Sequence, residues 1–181
     1  MPFWKFHDYW AEKMGIDRKV SHFVNLHEDR IWRHEAIKKG KEPPDLRTKV
    51  DLLRRKGSDY VKALFLHLFL DEIIDASTDE LILQSPDVGP PGFLEEIIRN
   101  WFLGDAKKAV RQVGERLRAY PESNSVKVFV LDHLEEILIS YYRQTRALGA
   151  VEILERDGKL VYCDTSQTDL WDYLGTSHRR Q

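Results

Sequence analysis

Most of what can be read from this chain follows from one apolar run broken at a few places, Asp59-Tyr-Val-Lys-Ala-Leu-Phe-Leu-His67-Leu-Phe-Leu-Asp71-Glu-Ile-Ile-Asp75. At about 100° per residue, His67, Asp71 and Asp75 fall within an arc of about 80°, stacked one turn apart on one face. Ala63, Leu64, Phe65, Leu66, Leu68, Phe69, Leu70, Ile73 and Ile74 cover nearly every other direction. A helix that is apolar on most sides has to be surrounded by other elements. A carboxylate in such a helix is costly unless it is paired or holds a cation.

Working outward, the segments on both sides also carry helical signals. Phe3 to Met14 reads as a short aromatic-rich helix closed by Gly15, and Asp17 caps a long helix to Gly40. Asp45 caps the next helix through Arg55, and Gly57-Ser58 starts the central one, about Asp59 to Ala76. Ser77-Thr78-Asp79-Glu80 has capping-box spacing and predicts a brief helix toward Leu83. Ser85 to Gly92 is a Pro/Gly loop, a lid, a connector or a subdomain boundary. Helices are predicted at Phe93 to Leu103, Asp105 to Ala119 and Ser125 to Leu148, with Gly104 and Gly149 as breaks. Around Asp157-Gly158 the period changes to two, which predicts a β-hairpin over about 150–164. The expected fold is mainly α: a single-domain multi-helix bundle over 1–181 with a C-terminal two-stranded hairpin.

Composition narrows the function classes. The 181 residues suffice for a core without disulfides, and the single cysteine, Cys163, cannot form an internal one. The start of the chain lacks a signal-peptide pattern and no run approaches twenty apolar residues, so the expectation is a cytoplasmic protein without membrane insertion. With 28 basic against 30 acidic residues there is no net positive field, and nucleic acid is not the expected partner. Many Glu, Lys and Arg beside three Asn and five Gln is the balance of heat-adapted proteins.

Five of the seven histidines, His7, His22, His27, His34 and His67, lie in the first 67 residues. His27, Arg30, Ile31 and His34 share the core-facing stripe of the second helix, although two turns separate the histidines, so one ion cannot take both unless the helix bends. His7-Asp8 sits among aromatic residues one turn from Trp4. The candidate metal ligands are His7, His27, His34, His67 and Asp71, for zinc or manganese. Asp75 is the candidate general base or further ligand, and Arg30 the candidate contact to a phosphate oxygen. Glu28, Asp29, Arg33 and Glu35 read as solvated-face charges, and Trp32, off the His27/Ile31 stripe, is the tryptophan expected to be exposed. The competing reading of the stripe is a wet helix face, or a His67–Asp71 hydrogen bond with no ion.

The His67-x-x-x-Asp71 helix, the aromatic N-terminus with an early histidine and the scattered upstream His and Asp residues make residues 1 to 80 resemble the all-helical zinc-dependent phospholipase C group and its acyl-carrier-protein phosphodiesterase-like relatives. The resemblance implies that His67 and Asp71 ligate a metal that activates water against a small phosphoester. The downstream His-x-x-x-Glu pair of that group is missing; His133-Leu134-Glu135-Glu136 has the wrong spacing. The leading expectation is a metal-dependent phosphoester hydrolase. The alternatives are a helical binding module whose hairpin contacts nucleic acid as a wing, and a structural subunit of a complex. A homo-oligomer stays open in each.

Overall fold

The computed structural model describes residues 4–77, 93–152, 154–156 and 159–161, with side chains described to 144. It is mainly helical. The elements are α1 (Trp4–Lys13), α2 (Arg18–Leu26), a π-helical turn (His27–Ile31), α3 (Trp32–Lys38), α4 (Leu46–Arg54) and α5 (Ser58–Ser77). A second group follows: α6 (Phe93–Ile97), a second π-helical turn (Ile98–Phe102), α7 (Leu103–Arg116), α8 (Glu122–Asp132) and α9 (Leu134–Glu152).

The starts and stops have local causes. Asp17 accepts from Lys19 N–H at 2.7 Å and Asp45 from Thr48 N–H at 2.8 Å, each satisfying an otherwise unpaired first-turn donor. Gly15 (φ 84°) and Gly40 (φ 59°) close α1 and α3 in the left-handed region, where a side chain would be strained.

α5 is the axis of the assembly. Packed against α1, α2, α4, α7, α8 and α9, it is apolar nearly all round, with Val61, Leu64, Phe65, Phe69, Leu70 and Ile73 fully buried. Buried hydroxyl and indole groups tie the ends together. Tyr142 Oη donates to the Ser77 carbonyl at 2.9 Å and Trp10 Nε1 to Ser140 Oγ at 3.2 Å, joining α9 to α5 and α1. Among the described residues, no helix is long and apolar enough to cross a membrane.

Several sequence expectations need correction. Gly104 does not break the helix. It lies exposed within the first turn of α7, where a glycine costs only about 1 kcal/mol, and the chain runs helically from Phe93 to Arg116. The helix expected over 125–148 is two: α8 starts at Glu122, just past Pro121, and ends at His133. There the His133 Nδ1 and backbone N–H both engage the Phe129 carbonyl, at 2.9 and 3.2 Å. Gly149 does not stop α9, which continues to Glu152. The hairpin expected over 150–164 is not supported as part of the fold: residues 150–152 are helical, and only two three-residue strands, Leu154–Arg156 and Lys159–Val161, pair there. Ser77 closes α5 rather than opening a helix, and the rest of that predicted helix and the 85–92 loop lie outside the described residues.

The π-helical turn at His27–Ile31 alters a further prediction. It inserts one residue into the turn, as the Trp32 N–H bond to the His27 carbonyl records. A helical wheel carried across it is therefore one residue out of step. Trp32, expected to be exposed, is carried inward against the core, whereas His34, expected on the buried stripe, is exposed. Among the described residues, the tryptophan that does face solvent is Trp101, 73% exposed in the second π-helical turn.

Candidate metal centre

Three helices deliver a buried polar cluster. α1 supplies His7, α5 supplies His67 and Asp71, and the π-helical turn following α2 adds Asp29. Asp71 bridges the two imidazoles: its Oδ1 lies 3.1 Å from His7 Nε2 and its Oδ2 3.2 Å from His67 Nε2. The imidazole rings stack with centroids 4.3 Å apart and planes 15° from parallel. Asp29 Oδ1 approaches His67 Nε2 to 3.6 Å, while its Oδ2 accepts from the Trp4 indole N–H. One ligand atom from each of His7, His67 and Asp71 lies within 4.8 Å of the others.

The cluster is dry on one side and reachable on the other. Both histidines are 2% exposed, whereas the side chains of Asp71 and Asp29 retain 22% and 16% of their exposure. Asp29 also lines a groove of about 780 Å³, together with Leu26, Arg30, Ile31, Arg33, His34, Glu35, Ile37 and Lys38. The inner ligands are thus held by packing, while of the two outer carboxylates Asp29 reaches a groove of mixed charge, lined by Arg30, Arg33 and Lys38 with Glu35.

Charge and burial set the protonation behaviour. Burial alone would raise the Asp71 carboxyl, but hydrogen bonds and charge from His67 and His7 outweigh it and hold the group well below the usual carboxylate range. Burial would likewise depress His67; the Asp71 hydrogen bond and the charges of Asp71, Asp29 and Glu28 overcome it and raise the imidazole above its ordinary value. For His7, burial and the neighbouring His67 together prevail over Asp71, and the pKa is lowered. Two stacked rings therefore sit on opposite sides of the ordinary histidine value, one favouring the cation and the other the neutral base.

The donor set fits a divalent transition ion. Two imidazole nitrogens and a carboxylate oxygen, with a second carboxylate beside them, are the ligand types zinc and manganese accept. With both rings neutral, Asp71 and Asp29 carry two negative charges that a divalent cation would balance. The donors are not equal. His7 Nδ1 is buried without a hydrogen-bond partner, so as a ligand through Nε2 it would carry an unpaired Nδ1–H. His67 Nδ1 meets Asn25 Oδ1 at 3.0 Å. His67 is the better supported of the two.

The other sequence candidates are not brought to this cluster. His27 engages the Phe23 carbonyl through Nδ1 at 2.7 Å and stacks on the Phe23 ring, centroids 3.8 Å apart, with Trp32 at its edge. His34 and Arg30 line the groove, the Arg30 guanidinium lying 5.6 Å from the centre of the Trp4 ring. Asp75 is exposed one turn beyond Asp71. Conversely, Asp29 is part of the cluster rather than a solvated-face charge, and neighbouring Glu28 is ion-paired with Lys49. Asp8, noted in the sequence only as the neighbour of His7, forms a buried network beside His67 with Ser21 and Asn25, which the sequence reading did not single out. The available signal was Ser21 and Asn25, two small polar residues one turn apart on a helix that also buries Val24.

No family model, curated protein or solved structure matches the chain. The functional reading therefore rests on the residues and their geometry.

Proposed function

We propose that the chain is a divalent-metal-dependent hydrolase of small phosphoesters, with zinc or manganese held by His67, Asp71 and His7 and approached by Asp29. The observation that carries this reading is the convergence of three donor atoms from α1 and α5 beside a carboxylate that also borders a groove lined by Arg30, Arg33 and Lys38. A bound ion would supply an activated water and neutralise developing charge on the phosphoryl oxygens. The chain's own residues would hold the ester: Arg30, Arg33 and Lys38 present cations along the groove, and Leu26 and Ile31 give it an apolar wall. Asp29, shared between cluster and groove, is better placed than Asp75 to accept a proton from water.

The burial of both imidazoles favours a second reading, in which an ion ties α1 to α5 without catalysis. The two readings separate on one assay. Purified protein supplied with zinc or manganese is expected to hydrolyse bis(p-nitrophenyl) phosphate, with activity falling to background in His67→Ala. Metal uptake without turnover above that variant would leave the structural ion and remove the hydrolase. A nucleic-acid wing has little support, since α9 occupies part of the segment from which it would be built.

A further inference from the structure

The proton on a histidine that is to bind a metal must sit on the ring nitrogen facing away from the ion, and something has to hold it there. Here the constraint begins at Asp8, beside His7 on α1 but bonded into α2. Asp8 Oδ1 accepts from the Ser21 hydroxyl at 2.7 Å and from Asn25 Nδ2 at 3.0 Å. Its Oδ2 faces His22 Nδ1 at 3.5 Å and Arg18 Nε at 3.8 Å. A carboxylate only accepts, so the Asn25 amide must turn its nitrogen to Asp8 and its oxygen the other way. The reverse orientation would set two acceptors against each other.

That amide oxygen meets His67 Nδ1 at 3.0 Å, and it too only accepts. The proton of His67 therefore belongs on Nδ1. Nε2 is left facing Asp71 Oδ2 at 3.2 Å and Asp29 Oδ1 at 3.6 Å. A nitrogen facing two carboxylates calls for positive charge at that position, a second proton in the metal-free imidazolium or a metal ion in that proton's place. Asp8, Asn25 and His67 are 3%, 1% and 2% exposed, so bulk water does not replace a lost link.

We propose that Asp8 and Asn25 are positioning residues that fix the proton of His67 on Nδ1 and so present Nε2 as a metal donor. The ion in this inference rests on the reading given under Proposed function; the proton placement does not. Without the relay the ring is free to carry its proton on Nε2 and donate it to Asp71, and a metal then has to displace that proton before it can bind.

The test is nitrogen NMR of protein labelled with ¹⁵N-histidine, read with one equivalent of zinc and again without metal. With zinc, His67 is expected to show a protonated Nδ1 and a metal-bound Nε2. Binding through Nδ1 would overturn the proposal. If the protein takes up neither zinc nor manganese, the hydrolase reading fails but the relay is still decided by the metal-free spectrum at high pH. A neutral ring with its proton on Nδ1 supports the relay, and a neutral ring with its proton on Nε2 overturns it.

Two variants supply the second readout. Asn25→Leu, close to isosteric, removes both links and is expected to weaken zinc binding about ten- to a hundredfold, with the His67 proton moved to Nε2 in the metal-free form. Ser21→Ala disturbs the same buried spot but keeps the Asp8–Asn25 bond, and is expected to leave the tautomer in place and affinity little changed. An Asn25→Leu protein that binds zinc like the native one with its proton on Nδ1, or a Ser21→Ala protein as impaired as Asn25→Leu, would contradict the proposal.

Discussion

Phe65→Ala is expected to lower the unfolding free energy by about 3–5 kcal/mol, the range for truncating a buried phenylalanine. The ring is fully buried in α5 and lies 5.5 Å from the Tyr120 ring at 42°. α5 is enclosed by six other helices, so the surroundings have few ways to collapse into the space vacated. Since domains of this kind are stable by only about 5–15 kcal/mol, the change removes a large part of the total. Urea unfolding followed by circular dichroism checks it: the midpoint should fall with little change in slope. Leu68→Ala on the same helix, where the side chain is only half-buried, should cost less. Equal losses for the two would mean that α5 is not the enclosed axis described.

The second large effect concerns pH in the absence of metal. Asp71 has a lowered carboxyl pKa, so its contribution is present above the ordinary carboxylate value and is lost as pH falls through that value toward its own. His7 acts in the same direction at higher pH: its lowered value makes folding less favourable as pH falls below about 6.5. His67 opposes them. Its raised value gives stability that is fully present below about 6.5 and disappears as pH rises through the folded value. The two histidine effects partly cancel near neutrality, while the acid limb belongs to Asp71. With a chelator present, stability should fall on acidification below about pH 4 as the Asp71 carboxylate is protonated and its bonds to the two imidazoles are lost. Asp71→Asn should flatten that limb, measured as urea midpoints across pH. An unchanged acid limb in Asp71→Asn would show that this carboxylate is not held by the two imidazoles.

How much of this was legible in the sequence depends on the element. α5 was, because an apolar run that leaves one polar stripe can be satisfied only by enclosure, and the spacing of His67 and Asp71 placed both on one face. The N-caps at Asp17 and Asp45 and the glycine stops at Gly15 and Gly40 were legible for the same local reasons. His7 was a candidate by type alone; that α1 lays it flat against His67 is a tertiary fact that periodicity does not carry. Errors gathered where the helix is not an α-helix. Across the π-helical turn at 27–31 the periodicity slipped by a residue, so His34 was placed inward, Trp32 outward and Asp29 in solvent. The Asp8–Ser21–Asn25 network escaped notice because serine and asparagine look unremarkable until a carboxylate and an imidazole are found on either side of them. At Gly104 and Gly149 the helix runs on through the glycine, whose local cost of about 1 kcal/mol is too small to end it.

The proposed cation site at His67, Asp71 and His7 is distinguished from a buried hydrogen-bonded packing feature by whether it takes up a metal ion. Calorimetric titration of zinc, then manganese, into chelator-treated native protein, Asp71→Asn, His67→Ala and His7→Ala tests it most directly. A single ion per chain is expected in the native protein, with loss of binding in Asp71→Asn and His67→Ala, and a smaller loss in His7→Ala, whose Nδ1 has no partner to support it. A folded native protein that takes up neither metal, or one whose binding is untouched by Asp71→Asn and His67→Ala, would contradict it.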